Sequence, residues 1–220
     1  FYSFAISMLT FINVLINSIG ITLYNYLANN RNEDKTKRLK EILLVIGIFS
    51  TAGYFVFSII VNLFIKKYIP SLRILSILFA AYPFMIIINA LYINLYKAQK
   101  DEKKYFRTVV VMVIVAAILN LTFLNVYKNT ISLAVATTIS FLVWYIFSMN
   151  DFEFLRSDKR EIIYLFINIG NFILCSNLMF YITGLIIYLT VAFISTFIIY
   201  GQEVKQIIKS LVSQFKSKKG

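Results

Sequence analysis

Polar side chains recur along the first apolar segment and are the residues best placed to meet a ligand. At 100° per residue they fall within roughly half the circumference of a helix, while Phe4, Met8 and Phe11 belong to the other side. This polar stripe either lines a water-filled cavity or packs against neighbouring helices through small and amide side chains. It consists of Ser3, Ser7, Thr10, Asn13, Asn17, Gly20 and Tyr24.

The inventory of reactive residues excludes several kinds of chemistry. The chain has no His and one Cys, Cys175, which lies inside an apolar segment as a small packing residue. Histidine chemistry, internal disulfides and thiolate zinc sites are therefore excluded for this stretch. All ten acidic residues fall in predicted loops or the tail, so no carboxylate is expected in mid-membrane. We predict no catalytic residue, no metal and no cofactor, and we do not expect an enzyme.

Composition decides the class of protein. Hydrophobic residues make up 60% of the chain and the mean hydropathy is +0.77, more apolar surface than a soluble domain of this size can bury. Each apolar run is close to the length of about 20 residues that a membrane-spanning helix needs. We predict an all-α, polytopic integral membrane helix bundle with seven transmembrane helices. Their ranges are 1–28, 42–65, 72–96, 106–127, 130–149, 162–182 and 184–201.

The distribution of charge predicts the topology. The formal net charge is +12, and 18 of the 22 Lys and Arg residues fall in 29–41, 97–107, 150–161 and the tail, all on one side of the predicted bundle. Positive charge beside membrane spans marks the cytoplasmic side, so we predict a cytoplasmic C-terminus and an outer Phe1. This placement favours a lipid bilayer over nucleic acid as the partner of the basic residues. We also expect further spans before Phe1 in a longer protein.

Two local features add predictions about movement and membrane contact. Pro83 lies inside the third predicted span, where it removes a backbone donor; the resulting kink is a hinge candidate or only a feature of shape. Residues 202–220 repeat apolar side chains at helical spacing with a basic opposite face. We predict an amphipathic helix on the anionic inner leaflet, with a frayed soluble tail as the alternative. Its membrane-surface residues are Lys205, Lys209 and Lys216.

The order of several short segments resembles a known family of transporters. The matching segments lie in the first predicted span, in the third span with its basic turn, and in the fourth and fifth spans. They resemble helices eight, ten, eleven and twelve of the Wzx-type polysaccharide repeat-unit flippases, within the multidrug/oligosaccharidyl-lipid/polysaccharide exporter superfamily. The segments are 2–7 with 19–24, 72–75 with 95–100, and 118–121 with 131–140.

The resemblance implies helices eight to fourteen of a fourteen-helix protein with two lobes around a central cavity. Residues 1–149 would be a partial C-terminal lobe with five spans, 150–201 two additional spans, and 202–220 the cytoplasmic tail. Such proteins flip an undecaprenyl-pyrophosphate-linked oligosaccharide from the inner to the outer leaflet of the bacterial plasma membrane by rocker-switch alternating access. They serve O-antigen or capsule export, with other polysaccharide assembly proteins as further partners. The resemblance favours the cavity-lining reading of the polar stripe.

Three alternatives remain open at this stage. An ion-coupled exporter of drugs or small cations would share the fold but should carry acidic residues in a membrane-embedded cavity. A membrane glycan polymerase or acyltransferase should carry a large outer loop or embedded catalytic groups. A purely structural membrane subunit is the third alternative.

Overall fold

The chain folds as an all-α helical bundle. The computed structural model describes the backbone of residues 1–29 and 32–217, and the side chains of 1–14, 20, 22–29 and 32–201. Short 3₁₀ turns at Lys66–Tyr68 and Glu153–Leu155 and a π-helix at Ile87–Tyr92 complete the regular structure of this part of the chain. The α-helices are α1 Tyr2–Asn29, α2 Glu33–Thr51, α3 Gly53–Phe64, α4 Ser71–Ala80, α5 Tyr82–Ile86, α6 Ile93–Ala98, α7 Glu102–Tyr127, α8 Thr130–Asp151, α9 Lys159–Leu178 and α10 Tyr181–Ser217.

Five to six helical segments are long and apolar enough to cross a membrane. Five are single segments, and the pair Ser71–Ala80 and Tyr82–Ala98 makes a sixth if this bent pair counts as one span. The prediction of seven spans is therefore not confirmed. The predicted span that is not among them is α1, whose side chains are described only in part and whose described apolar stretch is Tyr2–Val14. The five are Glu33–Phe64, Glu102–Tyr127, Thr130–Asp151, Lys159–Leu178 and Tyr181–Gly201.

Two helices begin earlier than predicted because polar residues cap them. The side chain of Asn32 accepts a hydrogen bond of 3.1 Å from the backbone N–H of Lys35, so α2 begins at Glu33 rather than at 42. Asp158 caps the backbone N–H of Glu161 at 2.8 Å, and α9 begins at Lys159 rather than at 162. Much of the predicted loops 29–41 and 150–161 is therefore helix.

The third predicted span is bent in the middle. The direction changes by 52° between α4 and the segment Tyr82–Ala98, at a break beside Ala81 and Pro83. Proline has no N–H to bond the preceding turn, and the π-helix Ile87–Tyr92 follows directly, so the hydrogen-bond ladder is irregular on this side of the break. The structure thus has a bend at Pro83, where the sequence predicted a kink. The role of Pro83 as a hinge remains a prediction.

The bent segment forms the centre of the bundle. Tyr82, Ile87, Ile88, Leu91 and Tyr92 are almost completely buried, and α1, α2 and α8 pack around them. In contrast, only 6% of the apolar window of α7 is buried. An apolar helix with this exposure is suited to contact with lipid, and a lipid bilayer as its surroundings agrees with the predicted class.

The last two helices form a hairpin that docks on α2 and α3. Tyr54, Phe55, Phe172 and Tyr188 form a cluster of edge-to-face and tilted ring contacts, with centroids 5.2 to 5.9 Å apart. The hydroxyl of Tyr188 also donates a 2.7 Å hydrogen bond to the carbonyl of Ile48. The turn lies between Leu178 and Tyr181, so the boundary between these helices comes earlier than the predicted spans 162–182 and 184–201 place it.

Gly184 is required at the close contact inside this hairpin. A Cβ there would lie 2.9 Å from the carbonyl oxygen of Cys175 and 2.9 Å from the ring of Phe55, whereas a Cβ on Gly170 would meet nothing within 4 Å. We expect Gly184→Ala to destabilise the protein by about 1–3 kcal/mol. Gly170→Ala is the control and should be neutral or slightly stabilising. Thermal unfolding in detergent measures both, and equal midpoints would contradict the expected contact.

The final helix continues beyond the predicted seventh span. α10 runs from Tyr181 to Ser217 and is interrupted at Tyr200, where φ is −119° and ψ is 19°. This break stands close to the predicted boundary between the last span and the tail. The predicted membrane-surface residues Lys205, Lys209 and Lys216 lie outside the described side chains, so their contact with lipid stays a prediction.

Candidate functional site

The N-terminal part of the polar stripe of α1 faces away from the bundle. Ser3, Ser7 and Thr10 are exposed, and two of their hydroxyls bond their own helix. Ser7 donates to the carbonyl of Ser3 at 2.9 Å, and Thr10 donates to the carbonyl of Ile6 at 2.8 Å. The bundle-facing side of α1 is formed by Ala5, Leu9, Leu23 and Leu27, which are buried. These hydroxyls therefore do not join α1 to a neighbouring helix.

The other members of the stripe have different surroundings. The amide oxygen of Asn13 is buried without a hydrogen-bond partner. Tyr24 is 39% exposed. Asn17 lies outside the described side chains. An unpartnered amide beside three exposed hydroxyls is an arrangement that polar solute or a further polar surface would satisfy.

The second half of α1 is joined to the bent segment by a hydrogen bond of Asn94. The side-chain amide of Asn94 donates to the carbonyl of Gly20 at 3.2 Å and to the carbonyl of Ala90 at 2.9 Å. The side chain of Asn94 thus joins two helices by a hydrogen bond. A side-chain donor that satisfies a backbone carbonyl across helices fixes their separation at this point.

A cleft of about 500 Å³ opens beside this contact. We call it the Lys97 cleft. It lies between α1, the bent segment and the first turn of α7, and the stripe residue Tyr24 forms part of its wall. Its lining is Gly20, Tyr24, Asn89, Ile93, Asn94, Lys97 and Tyr105. Lys97 belongs to the basic segment 97–107, and neither Lys97 nor Asn89 was predicted from the sequence to line a site.

The lining of the Lys97 cleft offers one cation and several free polar groups. No Asp or Glu is among its lining residues, and within the described part of the chain Lys97 makes no ion pair. In the same part, the hydroxyls of Tyr24 and Tyr105 and the amide of Asn89 make no hydrogen bond. The cleft can therefore supply positive charge and hydrogen-bond donors to a bound group.

A buried ion pair joins two segments that were predicted to be loops. Lys40 Nζ is 2.8 Å from Glu161 Oε1, with side-chain exposures of 1% and 6%. Lys40 also donates to the carbonyl of Leu155 at 2.7 Å and to Ser157 Oγ at 3.2 Å. Glu161 accepts further hydrogen bonds from Ser157 at 2.7 Å and from the hydroxyl of Tyr145. The expectation that these charges lie in loops is wrong, because both are inside helices and buried.

A second polar cluster joins three other helix ends. Asp151 accepts hydrogen bonds from Tyr96 at 2.7 Å and from Thr108 at 3.2 Å. Arg107 pairs with the same carboxylate at 3.1 Å but is itself 57% exposed. The cluster ties the end of the bent segment and the end of α8 to the start of α7.

Both clusters and the Lys97 cleft lie at one end of the bundle, which we call the basic end. It is formed by the segments 32–41, 97–107 and 150–161, and the pairs Lys40–Glu161 and Arg107–Asp151 join 150–161 to the other two. Because the oxygens of Glu161 and Asp151 are occupied by partners, the two clusters hold helices together rather than offer a ligand site. The part of the chain that the structure describes contains no group of three or more His, Cys, Asp or Glu residues placed to hold a metal ion.

The chain was also compared with known proteins. It matches no protein-family model, no curated protein and no solved structure. The resemblance to flippases therefore depends on the order of its segments and the placement of its charges. What is established is that the chain is a polytopic, all-helical membrane protein with five to six candidate spans.

Proposed function

We propose that this protein contributes to the flipping of a lipid-linked oligosaccharide repeat unit from the inner to the outer leaflet, for polysaccharide export. The observation that carries the proposal is the polar stripe on α1, whose Ser3, Ser7 and Thr10 are exposed and whose Gly20 and Tyr24 line the Lys97 cleft at the basic end. In this proposal the membrane is the bacterial plasma membrane and the basic end faces the cytoplasm.

The chemistry of the stripe suits a sugar chain. Hydroxyls and amides can exchange hydrogen bonds with sugar hydroxyls, and the apolar carrier tail can stay in lipid while the glycan passes along the helix. The exposed Ser3, Ser7 and Thr10 extend this surface toward the opposite end of α1, where the hydroxyl of Tyr2 lies 3.1 Å from Thr137 Oγ1. The described members of the stripe thus recur over several turns of α1, on both sides of residues 15–19.

Alternating access requires parts that move and parts that stay rigid. The 52° bend beside Pro83 offers a position where the central segment could change direction. The buried Lys40–Glu161 pair and the aromatic cluster around Tyr188 would carry the α9–α10 hairpin with α2 as one body. We propose that the exposed face of α1 and the bend change their surroundings while this body moves as a unit.

The ion-coupled exporter remains an alternative proposal without an observation in its favour. Glu161 is a buried carboxylate, the type of group that such an exporter needs. Its oxygens are occupied by Lys40, Tyr145 and Ser157, however, so it does not present a free site to a cation. The polymerase or acyltransferase alternative likewise gains no support from either cluster.

Blocking the stripe tests the flippase proposal. We expect Asn13→Phe in the full-length protein to reduce surface glycan by about tenfold or more, because added bulk on a cavity wall raises the barrier to passage. Val126→Phe is the matched control, since Val126 is 64% exposed on the apolar helix α7. Immunoblotting for protein and a surface-glycan assay measure abundance and export separately. Normal export by an abundant Asn13→Phe protein would reject the cavity assignment.

A further inference from the structure

We propose that the Lys97 cleft is a recognition site for the phosphate of a lipid headgroup. Lys97 supplies the positive charge, and the hydroxyls of Tyr24 and Tyr105 supply hydrogen-bond donors. This proposal adds a ligand site to the proposed function. Only the identity of the headgroup, that of a polyprenyl-linked glycan, rests on the proposed function. The site itself is argued from the charge and hydrogen-bonding groups that line the cleft.

Within the described part of the chain, Lys97, Lys100 and Lys103 of the segment 97–107 make no ion pair, and of these three Lys97 lines the cleft. Of its neighbours in the basic turn, Lys104 pairs with Asp101 at 3.0 Å and Arg107 pairs with Asp151 at 3.1 Å. Lys97 has no such partner in the described part of the chain, and no carboxylate lines the cleft. A phosphate of a lipid headgroup, which carries negative charge and several acceptor oxygens, is the complement of one free ammonium and several donors.

The polar groups around Lys97 distinguish this cleft from a lysine that only extends toward water. A lysine near a span end usually places its ammonium at the interface without a defined site. Here Tyr24, Tyr105 and Asn89 reach the same cavity from α1, α7 and the π-helix, and their polar side-chain groups are unpaired. Three separate elements therefore direct hydrogen-bonding groups to one volume.

The size and depth of the cleft fit a lipid-borne group. A volume of about 500 Å³ is within the range of small-molecule sites and admits a phosphate group with part of the first sugar. Lys97 lies in the last turn of α6, at the end of the apolar bent segment. A phosphate held there would be at headgroup level, while its hydrocarbon chain would remain in the bilayer. Asn89 also lines the cleft, and its amide can bond a sugar hydroxyl.

Binding to the purified full-length protein in nanodiscs tests this site. The probes are undecaprenyl pyrophosphate, phosphatidylglycerol and inorganic pyrophosphate, each titrated and followed by native mass spectrometry. We expect Lys97→Gln to raise the Kd of the lipid phosphate at least tenfold, because it removes a charge-assisted hydrogen bond. Tyr24→Phe, which removes only a hydroxyl, should cause a smaller loss, and Lys97→Arg should retain binding.

Lys103→Gln is the matched control because Lys103 is exposed in the same basic segment but does not line the cleft. Equal affinity of Lys97→Gln and the unmodified protein, or equal losses for Lys97→Gln and Lys103→Gln, would overturn the site. Tighter binding of either lipid than of inorganic pyrophosphate supports it, and tighter binding of the inorganic ion than of both lipids rejects a lipid headgroup.

The two lipid arms separate this inference from the proposed function. If Lys97→Gln weakens the binding of undecaprenyl pyrophosphate and not that of phosphatidylglycerol, both proposals are supported. If phosphatidylglycerol binds as tightly as undecaprenyl pyrophosphate and Lys97→Gln weakens both equally, the lipid-phosphate site is upheld. Its assignment to the glycan carrier is then rejected. Export by the Asn13→Phe protein is measured independently and can fail while the phosphate site is upheld.

Discussion

Replacing Lys40 with Met is expected to lower the free energy of unfolding by about 3–5 kcal/mol. The substitution removes the cation that faces Glu161, whose side chain is only 6% exposed. The carboxylate would then stay buried with Tyr145 and Ser157 as its remaining partners, and the carbonyl of Leu155 would lose its donor. An uncompensated buried charge costs more than the net contribution of the pair, which is why one-sided removal should have a large effect.

A second substitution identifies the cause of this loss. We expect Lys40→Met combined with Glu161→Gln to recover part of the stability, because neither charge is then left unpaired. Lys37→Met is the control on the same helix, since Lys37 is exposed, and it should leave stability nearly unchanged. Denaturant or thermal unfolding in detergent measures all the variants. Additive losses for Lys40→Met and Glu161→Gln would contradict a coupled pair.

Replacing Gly47 with Leu is expected to displace α2 from the bend of the central segment. A Cβ at Gly47 would lie 2.8 Å from Ile86 Cγ2 and 3.0 Å from the Cα of Pro83. The isoleucine end can turn aside, but the backbone at Pro83 cannot move without changing the bend. We therefore expect a destabilisation of at least about 1–3 kcal/mol, with the larger side chain adding to the overlap.

The matched control for this prediction is Gly170→Leu, because Gly170 is helical but has open space where its Cβ would be. Unfolding of both variants in detergent measures stability. A cysteine pair placed across α2 and α5 would report their separation through cross-linking yield, which we expect to fall only in Gly47→Leu. Equal stability and equal cross-linking of the two variants would show that the Gly47 contact is not needed.

The Lys40→Met and Gly47→Leu variants change two different contacts of the same helix, α2. Lys40 fixes the α9–α10 hairpin to α2 at the basic end, and Gly47 lets the same helix approach the bend two turns further along. α2 is thus the element through which the hairpin and the central segment are connected. If the proposed rocker-switch movement operates, changes in either contact should alter export together with stability.

The sequence alone determined the class of this protein. Its apolar runs require burial in lipid, and the helical period and the clustering of Lys and Arg are local properties that a single segment already displays. The all-α membrane bundle, most of the spans and the polar stripe of α1 follow from such local information. The position of the bend could also be predicted, because the missing N–H of Pro83 acts within its own helix.

Tertiary structure alone decided which charges are buried and which groups share a cavity. Lys40 and Glu161 are 121 residues apart, and each lies within a predicted loop, so neither segment reveals that the other will enclose it. The Lys97 cleft likewise combines α1, the π-helix and α7, and its unpaired donors become visible only when these elements meet. Burial and hydrogen-bond satisfaction depend on neighbours distant in sequence, which is why the polar stripe was predictable and the clusters at the basic end were not.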